Sequence, residues 1–164
     1  MSQDLTAYDW TTWQPGIQAT LVFLFRDNEV LLIEKKTGLG AGKVNAPGGK
    51  LELGESAQEC ARRELHEEVG LHANSLTKVA ELRFLMSDHA DIFCTVFFGH
   101  RFWGDLTETH EAAPFWVPTA EIPYDRMWAD DRIWLPRALN GERILGSFQF
   151  EGDKMLAQWI QPLL

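Results

Sequence analysis

Three glutamates, Glu64, Glu67 and Glu68, have the spacing of residues that share one side of a helix. Glu64 and Glu68 form an i,i+4 pair of like charges, which costs an isolated helix about 0.2–0.5 kcal/mol. Arg63 stands i,i+4 from Glu67 and can orient it, but one guanidinium cannot neutralise three carboxylates. A hard divalent cation with oxygen ligands can do so. The ordinary alternative is a solvated acidic face, so the surrounding sequence has to decide between the two.

The helix that must carry these glutamates has clear limits. Ser56 followed by Glu59 is a capping box, which predicts a helix start. Gly70 is typical of a C-terminal cap. Apolar residues recur every four positions from Ala61 to Val69 and form one stripe that packs, while the acidic residues occupy the remaining surface.

The glutamates also belong to a longer motif that runs from Gly49 to Leu71. It reads glycine, five residues, Glu55, seven residues, and then Arg-Glu-aliphatic-any-Glu-Glu-any-Gly-aliphatic from Arg63 onwards. Seven fixed positions at average residue frequencies make a chance match on the order of one in a billion per window. This motif resembles the box of the Nudix hydrolases. The resemblance implies an α+β fold in which a mixed β-sheet is sandwiched between α-helices and the box forms a metal-binding loop–helix–loop.

The resemblance also implies roles for the residues of the box. The three helix glutamates would be the catalytic metal ligands for Mg²⁺, with Mn²⁺ as a substitute, and the Gly48 carbonyl would be a backbone ligand. Arg63 and Glu55 would support them. The general base is left open between a box glutamate and Glu111, and the ordinary interpretation of Glu111 is a surface residue.

Outside the box, the chain resembles the MutT homologues that hydrolyse oxidised purine nucleoside triphosphates to the monophosphate and pyrophosphate. The matching stretches are residues 38–45 and 122–131. By position in that group, four residues would recognise the base: Asn45, Trp128, Asp130 and Asp131.

The chemistry of these residue types fits such a role. Asn45 offers a donor and an acceptor to a purine edge, and Trp128 offers a stacking face. Asp130 and Asp131 cannot easily both ionise in an aromatic pocket, so one can keep its proton and act as a donor. The alternative is that they only favour a helix N-terminus. Lys35 is a candidate for phosphate binding, although lysines at strand ends are usually only solubilising.

Length and composition agree with one small-molecule enzyme domain. The 164 residues and 45% hydrophobic content fit a single core. The net charge of -9 makes polymeric nucleic acid an unexpected partner. The longest apolar run, residues 21–25, is far shorter than a membrane span, and no targeting segment is visible, so we expect a cytoplasmic protein. We also expect a monomer whose partner is its nucleotide substrate. Cys60 and Cys94 are interpreted as core thiols.

The division and elements that we predict follow from turn formers and apolar periodicity. Residues 1–16 would be an N-terminal extension and 17–164 the Nudix domain. A glycine-rich loop is predicted from Gly38 to Gly49, and a second helix from Asp130 to Leu139 with Pro136 near its first turn or at a kink. The predicted strands are Ile17–Phe25, Val30–Ile33, Val79–Met86, Ile92–Phe102, Phe115–Val117, Ser147–Phe150 and Met155–Ile160.

Two other interpretations of function stay open at this point. The same chemistry can act on a dinucleoside polyphosphate, a nucleotide sugar or the 5′ end of RNA, although the acidic surface disfavours RNA. A non-catalytic Nudix module that only binds nucleotides is the alternative from another class. Retention of all three helix glutamates argues against it.

Overall fold

The computed structural model describes residues 1–164. Its strands are β1 (Ile17–Arg26), β2 (Glu29–Lys35), β3 (Val44–Asn45), β4 (Gly48–Lys50), β5 (Leu71–Ala73), β6 (Leu76–Met86), β7 (Ile92–Gly99), β8 (Phe102–Gly104), β9 (Ala112–Pro118), β10 (Ile144–Glu151) and β11 (Lys154–Pro162). The α-helices are α1 (Ala57–Val69) and α2 (Asp131–Leu139), and two 3₁₀ turns lie at Thr119–Glu121 and Tyr124–Arg126.

Nine of the strands form one mixed sheet, as expected. Its main path runs β11-β10-β6-β7-β1-β2-β3, with β4 also paired to β1 and β9 paired to β2. The β1–β7 and β10–β6 pairs are parallel, and the others are antiparallel. Strand β1 is therefore the branch point, because it pairs with β7, β4 and β2 along its length.

The two helices cover opposite faces of this sheet, which confirms the predicted α+β sandwich. Side chains alternate along a strand, so Val22 of β1 faces one side and Phe23 faces the other. Val22 belongs to a buried cluster with Leu65 of α1. Phe23 belongs to a second cluster with Trp134 of α2, and their rings meet edge to face at 5.9 Å.

The prediction of one glycine-rich loop over residues 38–49 was wrong in its second half, which contains β3 and β4. Strand β3 pairs with β2, and β4 pairs with β1. Gly48 is required there because a Cβ at that position would collide with the Thr20 carbonyl. The glycine signalled close backbone approach within a sheet, and local turn propensity could not distinguish that from a loop.

Two further boundaries differ from the predictions. The predicted strand over 92–102 ends at Gly99, and Phe102–Gly104 instead pairs with Leu71–Ala73 in a separate two-stranded sheet. Pro136 was expected near the first turn of α2 or at a kink, and the structure places it as the sixth residue, beyond the first turn. The final hairpin is confirmed and is longer than predicted at both ends.

Residues 1–16 contain turns and bends without a helix or strand. Leu5 is only 3% exposed, so this segment packs against the sheet. The division of the chain at residue 16 stays a prediction. Cys60 and Cys94 are buried free thiols, and burial raises the pKa of both. Neither helix has the length and hydropathy that crossing a bilayer requires.

Candidate active site

Helix α1 begins and ends as its sequence predicts. The Ser56 side chain accepts from the Glu59 amide at 3.1 Å, and the Glu59 carboxylate accepts from the Ser56 amide at 2.9 Å. Gly70 adopts φ of 79° and closes the last turn through a bond from its amide to the His66 carbonyl. A residue with a side chain is strained at that φ. Both ends of the glutamate-bearing helix are thus fixed by local chemistry.

Arg63 lies at the centre of an acidic network beside this helix. Its guanidinium donates two hydrogen bonds to Glu55, at 2.7 and 2.9 Å. The same group reaches Glu64 at 2.9 Å and Glu67 at 3.1 Å. The bonds from Arg63 to Glu55 hold the pKa of Glu55 down at about 2. Arg63 therefore joins Glu55 to two of the three helix glutamates, and the orienting role of Arg63 and Glu55 stays a prediction.

Glu68 is the most enclosed of the three helix glutamates. It is 2% exposed, and its carboxylate accepts from the Gly48 amide at 2.8 Å. Burial raises the pKa of Glu68 to about 7, although the Gly48 amide and the Lys35 charge both oppose that rise. The structure thus brings Gly48 to Glu68, and the energetic cost of the buried charge is only partly offset by protein groups.

Glu64 lies beside strand β4 and shares this imbalance. A Cβ on Gly49 would collide with the Glu64 carboxyl group. Burial raises the pKa of Glu64, and the Arg63 guanidinium opposes the rise, while nearby Glu67 and Glu111 increase it. Glu68 is therefore buried and Glu64 largely buried. The protein groups around them only partly offset the cost of burying their charges.

The two predicted residues from outside the box also lie near these carboxylates. The charge of Glu111 adds to the rise in pKa of both Glu64 and Glu68. The Lys35 charge lowers the pKa of Glu68. Glu111 directly precedes β9, and Lys35 is the last residue of β2. Because β2 and β9 are paired antiparallel, the end of β2 and the start of β9 lie side by side. They place a base candidate and a cation next to the helix.

This donor set fits a divalent cation that keeps some positions for other ligands. No three His, Cys, Asp or Glu side chains form a complete metal site by themselves. Mg²⁺ usually binds one or two carboxylates and fills the remaining positions with water and phosphate oxygens. Glu64 and Glu68 supply two such carboxylates, whereas Glu67 is more exposed and bonded to Arg63. A cation would stabilise the ionised forms that burial disfavours.

The predicted substrate residues line one cavity of about 390 Å³ beside the helix. It contains all five of them: Lys35, Asn45, Trp128, Asp130 and Asp131. Gly48 lines the same cavity, so its inner end adjoins the glutamate cluster. The walls are mainly apolar, as is usual for a site that binds an aromatic ligand.

The two aspartates are buried, which disfavours the interpretation that they serve only the N-terminus of α2. Each is 3% exposed, and the Asp130 side chain makes no capping bond to the helix. It accepts instead from the Trp134 indole at 2.9 Å. Burial raises the pKa of Asp130 to about 6, against the effect of that indole. Burial and the charge of Asp130 raise the pKa of Asp131 further.

Two adjacent buried carboxyl groups cannot easily both ionise, so we expect the pair to hold one proton between them. The Oδ2 atom of Asp131 is buried and has no hydrogen-bond partner in the protein. The cavity therefore offers a carboxylate acceptor and a carboxylic acid donor side by side.

Asn45 and Trp128 complete the polar and stacking surfaces. The Asn45 carbonyl oxygen accepts from the Ala46 amide at 2.8 Å, so its amide group is left to donate to a ligand. One ring face of Trp128 lies near Lys43, with 5.0 Å from the ammonium to the ring centroid. Phe150 meets the indole edge-on at 5.7 Å. Trp128 is thus held in place by its neighbours.

The residues of the other cavity walls were not predicted from the sequence. They include Phe84, Met86, His89, Ile92 and Phe150. These residues lie on strands β6, β7 and β10 or on the turn between β6 and β7, far apart in sequence. Alternation along each strand was the available signal, but the pairing of β10 with β6 depends on tertiary structure.

Comparison with known proteins supports the family expected from the box. A model of the NUDIX domain matches residues 16–138. An oxidized purine nucleoside triphosphate hydrolase of Danio rerio is 38% identical over 140 residues, covering 85% of this chain and 90% of that protein. The protein of the same name from Mus musculus is 36% identical over 141 residues, with the same coverage.

The fold also matches a solved structure. A MutT protein from Bacillus halodurans superposes with a TM-score of 0.78 at 23% identity, covering 90% of this chain and 99% of that chain. At this identity the likeness concerns the fold alone. The domain match and the two curated relatives show that the chain belongs to the Nudix family.

Proposed function

We propose that this chain hydrolyses oxidised purine nucleoside triphosphates, of the 8-oxo-dGTP and 2-oxo-dATP type, to the monophosphate and pyrophosphate. Its role would be to clear the nucleotide pool of damaged precursors. The main support is the single cavity that joins Asn45, Trp128 and the aspartate pair to the metal-binding side of the box. The two curated relatives named for this activity add to it.

Nudix hydrolases generally require a divalent metal, and we propose Mg²⁺ with Mn²⁺ as a substitute. Glu64 and Glu68 would hold it with the Gly48 carbonyl, and Glu67 would join them from the exposed side. When bound, the metal would neutralise phosphate charge and lower the pKa of the attacking water. Arg63 keeps the glutamates in position. Lys35 binds a phosphate oxygen between the cavity and the helix.

The reaction is attack by water on phosphorus. A new bond forms from the water oxygen to phosphorus, the bridging phosphorus–oxygen bond breaks, and a protein carboxylate takes the water proton. The base is a box glutamate or Glu111, which lies beside Glu64 and Glu68. Glu67 is the box candidate that the structure leaves most exposed. Comparing the pH–rate profiles of Glu67→Gln and Glu111→Gln decides between them.

Recognition of the base follows from the protonation states in the cavity. One carboxyl group of the Asp130–Asp131 pair donates its proton to the purine, the other accepts, and the amide group of Asn45 donates. Trp128 stacks on the ring. A pair that holds one proton can exchange donor and acceptor roles, which suits both oxidised guanine and oxidised adenine.

The oligomeric state and the location of the protein belong to the same proposal. The protein would act as a monomer in the cytoplasm, where nucleoside triphosphates are made. Its net charge of -9 would repel the phosphate backbone of polymeric nucleic acid.

Product analysis with a matched variant tests the enzymatic part. The wild-type protein with 8-oxo-dGTP and Mg²⁺ should release 8-oxo-dGMP and pyrophosphate in equal amounts. Glu67→Gln should still bind the nucleotide but release neither product at a comparable rate. Equal nucleotide binding and no turnover by either protein would instead identify a binding module.

A further inference from the structure

The turn of residues 87–91, which joins β6 to β7, forms part of the wall of the purine cavity. Met86 before it, His89 within it and Ile92 after it all line that cavity. His89 also lines the neighbouring cleft beneath the glycine-rich loop. The position of this turn therefore affects the shape of the base site.

The N-terminal extension, residues 1–16, holds the turn through Asp91. The Trp13 indole donates to one carboxylate oxygen of Asp91 at 2.9 Å. The other oxygen accepts from the Met86 amide, also at 2.9 Å. The Ile17 amide, where the extension enters β1, donates to the Asp91 carbonyl at 3.0 Å. Both ends of the turn are thereby tied to the extension.

The extension is itself anchored on the sheet. Leu5 is buried, and the Trp10 indole donates to its carbonyl at 2.9 Å. The Trp10 ring stacks on the Arg83 guanidinium at 3.8 Å. Gln149 of β10 bonds to the amide of Gln3 at 2.8 Å. Nearly all of the extension precedes the segment matched by the NUDIX model, which begins at residue 16.

His89 lines this wall and has one ring nitrogen without a hydrogen-bond partner in the protein. Its Nδ1 lies 2.8 Å from the Ala90 carbonyl. A carbonyl only accepts, so Nδ1 carries the hydrogen and Nε2 of the neutral ring carries a lone pair. Nε2 is buried without a hydrogen-bond partner. The nearest charged atom, an Asp88 carboxylate oxygen, lies 3.9 Å away, beyond hydrogen-bond distance.

We propose that His89 is a specificity-determining residue of the purine cavity and that the N-terminal extension positions it there. The proposal rests on the proposed function. An ordinary purine has a lone pair on N7, whereas an 8-oxopurine in its keto form has an N–H at that atom. The Nε2 lone pair accepts from the oxidised base and opposes the lone pair of the undamaged one.

The test is the ratio of kcat/KM for 8-oxo-dGTP to that for dGTP. His89→Phe keeps a ring and removes the lone pair, and it should lower the ratio about tenfold, the factor expected from one hydrogen bond. His89→Gln retains an acceptor and should keep most of the ratio. The change should appear in KM while kcat stays within about twofold, because the reacting phosphates are not touched.

Two variants of the extension test its role. Trp13→Phe removes the donor to Asp91 and should lower the ratio in the same direction. It should also speed hydrogen exchange of the Met86 amide. Thr12→Val is the matched control, because the Thr12 hydroxyl donates only to Asp9 within the extension, and it should leave both readings unchanged.

The outcomes separate this inference from the proposed function. A wild-type preference for 8-oxo-dGTP that His89→Phe leaves intact would overturn the role of His89 alone. A loss with His89→Phe but none with Trp13→Phe would overturn the role of the extension. A wild-type protein that shows no preference for the oxidised purine would overturn both the inference and the proposed function.

Discussion

Replacing Asp130 by asparagine should stabilise the protein in a pH-dependent way. Asp130 is buried, and its pKa is raised from the ordinary 3.8 to about 6, chiefly by burial. Between those two pH values the folded protein binds the proton more tightly than the unfolded chain does. The free energy of unfolding therefore falls as pH rises through this window, and the contribution of Asp130 is constant above it.

The size of the effect follows from the shift. A shift of about two pKa units corresponds to roughly 3 kcal/mol of stability lost by the wild-type protein above pH 6. Asparagine cannot ionise, and its carbonyl oxygen can still accept from the Trp134 indole. We therefore expect Asp130→Asn to match the wild type near pH 4 and to exceed its free energy of unfolding by about 3 kcal/mol at pH 8. Removing the Asp130 charge also removes the repulsion that raises the pKa of Asp131.

Urea unfolding followed by tryptophan fluorescence, from pH 4 to 8 and with EDTA present, measures this difference. Asp125→Asn is the matched control, because the Asp125 side chain is 95% exposed and pairs only with Arg132 at the surface. Surface ion pairs contribute little, so the control should show no comparable gain with pH. A variant Asp130→Asn that is no more stable than the wild type at pH 8 would refute the buried-charge argument.

The remaining predictions concern the active site. Asn45→Ala should raise KM for an oxidised purine triphosphate about tenfold. It should leave Mn²⁺ binding, followed by electron paramagnetic resonance, unchanged. Unaltered purine selectivity would remove Asn45 from the base site. Glu67→Gln should lower kcat about 10²- to 10⁴-fold if it acts as the base, and steady-state rates near the wild-type value would leave that role to Glu111. Arg63→Lys loses the two-pronged contact with Glu55 and should weaken Mn²⁺ binding about tenfold or more, whereas unchanged affinity would contradict its orienting role.

The box helix could be predicted from the sequence because its signals are local. The Ser56 and Glu59 cap, the Gly70 stop and the apolar stripe each depend on residues within one or two turns. The structure reproduces all of them. The contact of Arg63 with Glu67 was predictable for the same reason, since four residues along a helix bring two side chains together.

The rest of the site depends on pairings between distant segments. Gly48 was predicted to approach a metal, but its place in a strand next to β1 is set by a backbone contact with Thr20 that no local pattern records. His89 lies in a turn where no local sequence pattern marks it as a site residue. It reaches the cavity only because β6 pairs with both β7 and β10.

The aspartate pair lies between these two cases. Residue types alone left Asp130 and Asp131 open between a helix start and a base site. Their burial, together with the Trp134 contact, now favours the second, since an exposed helix N-terminus would leave them solvated.

The most direct test of the account is a comparison of initial rates for the wild-type protein with Mg²⁺ on 8-oxo-dGTP, 2-oxo-dATP, dGTP, diadenosine tetraphosphate and ADP-ribose. We expect the highest kcat/KM for the oxidised purine triphosphates, with pyrophosphate released. A higher value for diadenosine tetraphosphate or ADP-ribose would contradict the purine-cavity assignment while leaving the metal-binding helix in place.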